Sequence, residues 1–317
     1  MELPLGAVSP PDFAAEPDGF VVLVDPGDRI HFLDWGTVRP DPPEAGEDLP
    51  GVLLVHGLSQ TAWTWTPVAR RLRSGTVPTV ALDLRGHGLS DAPTGGFYDA
   101  ATLAADVVAV AEGSGLLAGS DDRVVLAGHG FGAIVAAWAA LELGARCAGL
   151  VLVDGGWEDL EAASGMEADE FLRGLDEPPE VLRSMTAFLA DRTAFDPASW
   201  DADQERAARA TVVETHAGRV VPSTRPHALE ASIRAMFEYD PAATLAAVNA
   251  PVVALATSDD EVGSRAAALR DVSAARETAG HPPIEAFAFP GVGHNLMRYR
   301  PDVVTAAILA LRDPSGD

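Results

Sequence analysis

The sequence predicts an α/β fold: a mostly parallel, doubly wound sheet interrupted by an inserted block of helices. Three observations point there. Short, continuously apolar runs recur along the 317 residues, as they do in strands buried on both faces. Helical patterns alternate with those runs, the arrangement that crossover-connected parallel strands require. Between residues 154 and 251 the alternation stops, and only helical patterns fill an interval far too long for a connecting loop.

Taken in order, residues 20–25 and 29–35 are apolar runs joined by Pro26-Gly27-Asp28, which reads as a β-hairpin. A loop rich in Pro, Asp, Glu and Gly follows over residues 38–50. Buried strands are expected at 51–55, 79–82, 123–127, 149–153, 251–256 and 284–289, with helices at 101–112, 131–143 and 301–311. The interval after Asp154 carries no strand-like run but shows amphipathic stretches near 168–175, 179–191, 201–216 and 226–239. Residues 155–242 are therefore expected to form a helical cap, with 1–154 and 243–317 as the core. A cap of this kind controls what reaches a site below it.

Composition excludes several classes. The chain holds 22 basic residues, all arginine, against 47 acids, for a net charge of −25. Such a surface repels nucleic acid and anionic lipid, so neither nucleic acid nor membrane is an expected partner. GC-rich coding and adaptation to high salt both produce this balance. Residues 1–19 carry four acids, a Pro pair and no base, unlike a secretory signal or transit peptide, so a cytoplasmic location is the default expectation. A single cysteine, Cys147, rules out an internal disulfide and a multi-cysteine metal site, and it reads as a small residue at the core's edge. No H-x-x-x-H or H-E-x-x-H spacing occurs, and no metal or cofactor is expected.

Ligands of an open parallel sheet bind beyond the carboxyl ends of its strands. The segments there are His56-Gly57-Leu58-Ser59, then Asp83-Leu84-Arg85-Gly86-His87-Gly88-Leu89-Ser90-Asp91, then Gly128-His129-Gly130-Phe131-Gly132. After them come Asp154-Gly155-Gly156, Thr257-Ser258-Asp259-Asp260 and Gly291-Val292-Gly293-His294. In this order and spacing, over roughly residues 20–311, the chain resembles the α/β-hydrolase superfamily. His56-Gly57 is similar to that family's oxyanion loop, the 83–91 segment to its D-x-R-G-x-G-x-S motif, and Gly293-His294 to its catalytic histidine.

The family places its nucleophile in G-x-S-x-G, on a sharp strand-to-helix turn. Here that segment is Gly128-His129-Gly130-Phe131-Gly132, and the nucleophile position is Gly130, which has no side chain and forms no acyl-enzyme. The resemblance implies the backbone N–H groups of Leu58 and Phe131 as oxyanion donors and His294 as general base. Its orienting acid is Asp260, which follows the strand after the cap, or Asp154, which ends the strand after the elbow helix; Asp260 is preferred. His56, Gly57, Ser59 and His129 are expected around the pocket, and Trp63 and Trp157 are candidate apolar walls beneath the cap. Asp83, Arg85 and Asp91 read as braces of neighbouring turns.

The expected function is hydrolysis of a small apolar ester, lactone or related carbonyl compound by His-Asp-activated water. The alternatives are a non-catalytic binder of small molecules using the same pocket, and a lyase- or cyclase-type proton-transfer catalyst. A rival from another class is a dinucleotide-binding oxidoreductase, because residues 128–133 also fit G-x-G-x-x-A with Asp154 ending the next strand. That rival leaves His56-Gly57 and Gly293-His294 unexplained.

Overall fold

The computed structural model describes residues 3, 8–36, 49–95, 97–174, 184–257 and 263–313. The chain opens with β1 (Asp18–Val24) and β2 (Asp28–Asp34), an antiparallel pair closed at Pro26-Gly27. It continues through β3 (Gly51–Val55), α1 (Thr66–Ser74), β4 (Thr79–Leu82), α2 (Ala100–Gly113), β5 (Val124–His129), α3 (Phe131–Leu143) and β6 (Cys147–Val153). The inserted block holds α4 (Leu160–Ser164), α5 (Ala168–Gly174), α6 (Met185–Phe195), α7 (Ala202–Ala210), β7 (Val212–Glu214), β8 (Val220–Pro222) and α8 (Pro226–Phe237). The chain re-enters the core with α9 (Pro241–Ala247), β9 (Val252–Ala256), α10 (Ser264–Thr278), β10 (Glu285–Ala288), α11 (Leu296–Tyr299) and α12 (Pro301–Arg312).

The eight-stranded sheet runs β1-β2-β4-β3-β5-β6-β9-β10. The β1–β2 and β2–β4 pairings are antiparallel and the others parallel. Period-2 alternation divides the core into two layers. On one face Val52 and Leu54 meet Val68 and Leu72 of α1 and Val304 and Ile308 of α12. On the other, Leu53 and Val55 join Leu103 and Val107 of α2 and Ile134 of α3. Central α3 is apolar nearly all round and buried along most of its length, as its position between sheet and neighbouring helices demands. Cys147 is buried, its Sγ 3.5 Å from the Gly149 carbonyl, and burial pushes the thiol up to about 12. Among the described residues no helix is long and apolar enough to cross a membrane.

The helical expectation for the inserted block needs one correction, since β7 and β8 form an antiparallel hairpin there. The helix expected over 201–216 ends at Ala210, where Thr211-Val212-Val213 supplies three β-branched residues. Gly218 at φ +71° turns the hairpin, and the Thr215 N–H donates to the Arg219 carbonyl across it. Three-residue strands are too short for a period-2 signal to stand out beside a preceding helix. The helix expected over 179–191 lies at 185–195, and residues 179–183 fall outside the described chain. The block is moored to the core through α7: Arg206 lies 4.8 Å over the ring of Trp63, and Arg70 of α1 pairs with Asp203 at 3.4 Å.

The strand-to-helix turn after β5 depends on two close approaches. A Cβ on Gly132 would stand 2.3 Å from the carbonyl oxygens of Val55 and His56, and one on Gly128 would stand 2.2 Å from the Gly132 oxygen. Both neighbours are backbone, which cannot swing aside. Gly132→Ala is accordingly expected to cost about 1–3 kcal/mol through forced displacement of β3 from α3, measurable as a lowered urea midpoint; an unchanged midpoint would contradict this packing.

Candidate active site

Gly130 is the turn itself. It stands at φ +52°, ψ −117°, outside the regions open to ordinary residues, immediately before Phe131 begins α3. Its N–H donates to the Val153 carbonyl at 3.1 Å, tying the turn to the end of β6. As the first helical residue, Phe131 has no intrahelical acceptor for its own N–H. Among the described residues, a Cβ built on Gly130 would meet only the His294 ring, 3.5 Å from Nε2 and 3.8 Å from Cε1. The histidine near the carboxyl end thus faces the elbow through a gap of ordinary van der Waals width.

The other ring nitrogen is held. His294 Nδ1 lies 2.5 Å from Asp154 Oδ2, while the imidazole is more than half exposed (58%) and the carboxylate is buried. Asp154 directly follows β6 and sits at φ +48°, a conformation that Asp tolerates better than most residues. Its carboxylate accepts from four donors: the Thr257 N–H at 3.1 Å, Thr257 Oγ1 at 2.8 Å, Arg265 Nη1 at 3.1 Å and His294 Nδ1. Burial opposes the charge, but the His294 bond, the Arg265 cation and the Thr257 donors outweigh it and hold Asp154 well below the usual carboxylate range. Asp260, the preferred acid of the sequence reading, lies outside the described residues.

The loop after β3 is fixed by its own side chains. His56 Nδ1 donates to the Gly57 carbonyl at 2.8 Å, and Nε2 accepts the Leu84 N–H at 3.0 Å, which leaves a neutral ring. Burial likewise draws His56 below its ordinary value, against the charge of Asp83. Leu58 is half-buried, whereas Ser59, at φ +59°, is exposed. Gln60 joins this loop to the other two. Its Oε1 accepts the Gly57 N–H at 3.0 Å and lies 3.1 Å from His129 Nδ1, and its Nε2 donates to Asn295 Oδ1 at 2.7 Å. His129 Nε2 lies 3.1 Å from the His294 carbonyl, and the two rings are 4.4 Å apart. Burial, then the neighbouring His294, lowers His129 to about 3, so it is a neutral spacer within the loop network.

The remaining sequence candidates take bracing positions. Asp83 accepts from the N–H groups of Ala62 and Leu89 and binds His31 Nδ1 at 2.8 Å. Arg85 forks onto Asp106, and Arg29 donates to Asp91. Trp63 is half-buried under Arg206; Trp157 is fully buried, 5.3 Å beneath the Arg265 guanidinium. Gln60, Thr257 and Arg265 were not singled out by sequence reasoning. A signal existed for Thr257: β6 and β9 are parallel neighbours, so the residues just after their ends meet. None existed for Arg265.

The family model for the alpha/beta hydrolase family matches residues 52–307. A 2-(acetamidomethylene)succinate hydrolase from Mesorhizobium japonicum is 28% identical over 284 residues, covering 88% of this chain and 94% of that protein. The N-formylmaleamate deformylase of Pseudomonas putida is 37% identical over 128 residues, 40% of this chain and 42% of the relative. A crystal structure of E-2-(acetamidomethylene)succinate hydrolase superposes with a TM-score of 0.72 at 22% identity, covering 94% of this chain and 99% of the other.

Asp154 is charged in the fold under conditions where an unfolded aspartate is protonated. It therefore contributes stability that is fully present above the unfolded value near about 3.9 and is lost as pH falls toward its lower folded value. Asp154→Asn removes that contribution, so its urea midpoint is expected to fall less between pH 7 and pH 3 than the parent's. An equal fall in both would show that the carboxylate is not held as described.

Proposed function

The chain belongs to the alpha/beta hydrolase family, and within it we propose a hydrolase of small, largely apolar carboxylic esters, lactones or related carbonyl compounds that uses water directly. The observation that carries this reading is the placement of His294, with Nδ1 on Asp154 and Nε2 facing the bare Gly130 turn.

A water in the gap before Gly130 gives a proton to His294 Nε2 as its oxygen attacks the substrate carbonyl carbon. The carbonyl oxygen becomes an oxyanion, held by the N–H groups of Leu58 and Phe131. The imidazolium, steadied by Asp154, then returns the proton to the departing alkoxide, and the products are an acid and an alcohol. Asp154 stays ionised throughout, consistent with its four donors. No acyl-enzyme forms, because position 130 offers no nucleophile.

The cost of this route is speed. A mobile water lacks the preorganisation of a tethered hydroxyl, while oxyanion donors still contribute about 10²–10³ each and a positioned base about 10²–10⁴. The names of the relatives support carbonyl substrates: one is a hydrolase of 2-(acetamidomethylene)succinate, another a deformylase of N-formylmaleamate.

A chromogenic short-chain ester should be turned over slowly, without a burst, and His294→Ala should abolish turnover above background. Equal rates for the parent and this variant would reject the proposal. Absence of turnover together with a ligand-induced rise in melting temperature would identify a binder.

A further inference from the structure

Arg265 occupies an unexpected place. It lies in the first turn of α10, where the helix dipole disfavours a cation. Its position is accounted for by contacts outside the helix. Nη1 donates to Asp154 Oδ1 at 3.1 Å, Nε donates to Glu158 Oε2 at 2.7 Å, and the guanidinium lies 5.3 Å from the centroid of the buried Trp157 ring. Glu158 follows β6 by only five residues (158 − 153), so one short segment supplies the carboxylate that faces His294, the aromatic floor and the second carboxylate. The arginine is clamped in a plane, with one edge on the acid of the pair and the other on Glu158.

We propose that Arg265 is a positioning residue that divides the charge of Asp154 between itself and His294, and so lowers the pH at which the Asp154–His294 pair takes up its proton. Thr257 already supplies two donors to the carboxylate, so geometry alone does not require an arginine. What the guanidinium adds is a full positive charge on the oxygen that His294 does not use. An imidazolium forming on the other oxygen then meets a partly neutralised partner.

The groups facing the pair are few among the described residues. Asp154 comes from the end of β6, Arg265 from α10, and Glu158 acts through Arg265. His129, from the end of β5, packs on the His294 ring and is neutral, with burial holding it near about 3. Arg298, four residues beyond His294, is turned away onto Ser199 Oγ and the Asp196 carbonyl.

The test is an NMR titration of the His294 ring carbon and nitrogen resonances in the intact protein. With Arg265→Gln the transition is expected to move up by about 0.5–1 pH unit, the size of one partly screened charge at this range. Arg265→Lys, which keeps the charge, should return it to within about 0.3 unit of the parent. Glu158→Gln removes the opposite charge and should move it down, and in 1 M salt both shifts should shrink. A purely structural arginine would change stability and leave the transition in place. An unmoved or lowered transition in Arg265→Gln overturns the inference; should that variant not fold, an unmoved or raised transition in Glu158→Gln does so. The kinetic consequence, an acid limb of ester hydrolysis that moves with the ring transition, rests on the general-base reading of His294. The ring titration does not, so absent turnover with shifted resonances would defeat that reading and leave this inference standing.

Discussion

A buried carboxylate with four donors is the interaction on which the rest of the site depends. Asp154 is placed by the end of a central strand, and its charge is tolerable there only because Thr257, Arg265 and His294 converge on it. Each donor offsets part of the cost of burying that charge, so the donors are fixed by the acid as the acid is by them. The firmness passes to His294, whose ring is otherwise more than half exposed. An exposed imidazole keeps a fixed direction here because one nitrogen is tied to a residue that cannot move.

The second constraint is the turn it faces. Glycine adopts φ +52° at little cost, whereas a side-chain-bearing residue held in such a region carries about 1–3 kcal/mol of strain. Gly130 thus relaxes a conformation that the surrounding packing still imposes. Gly128 and Gly132 keep β5 and α3 pressed against their neighbours, and the Gly130 N–H remains on the Val153 carbonyl. Under the proposed function this is the frame of a nucleophile turn without a nucleophile. In the proposed reading, water takes over the attack, and electrostatic preorganisation around it carries the catalysis.

Much of this was legible in the sequence because the relevant physics is local. Buried parallel strands leave continuous apolar runs, so β3 and β4 fall on the expected residues, and a helix following a glycine turn placed α3. The choice between Asp154 and Asp260 was not local. Both follow strands that meet at the same edge of the site, and spacing treats them alike. The fold surrounds Asp154 with donors 103, 111 and 140 residues away, brought in by Thr257, Arg265 and His294, while Asp260 lies outside the described residues. Gln60 escaped notice for the same reason, since it joins three loops that only the folded sheet brings together. The β7–β8 hairpin was hidden by brevity, with three-residue strands beside a stronger helical pattern.

Placing a hydroxyl at position 130 tests the central geometry most directly. Gly130→Ser mixed with an activated acetyl ester and quenched in acid before deacylation, then analysed by intact-mass and peptide mass spectrometry, should carry one acetyl group per chain at position 130. The parent should carry none, and neither should the variant that also has His294→Ala. A folded Gly130→Ser protein that remains unacylated would contradict the account, because His294 would then not be facing the turn in a way that supports chemistry.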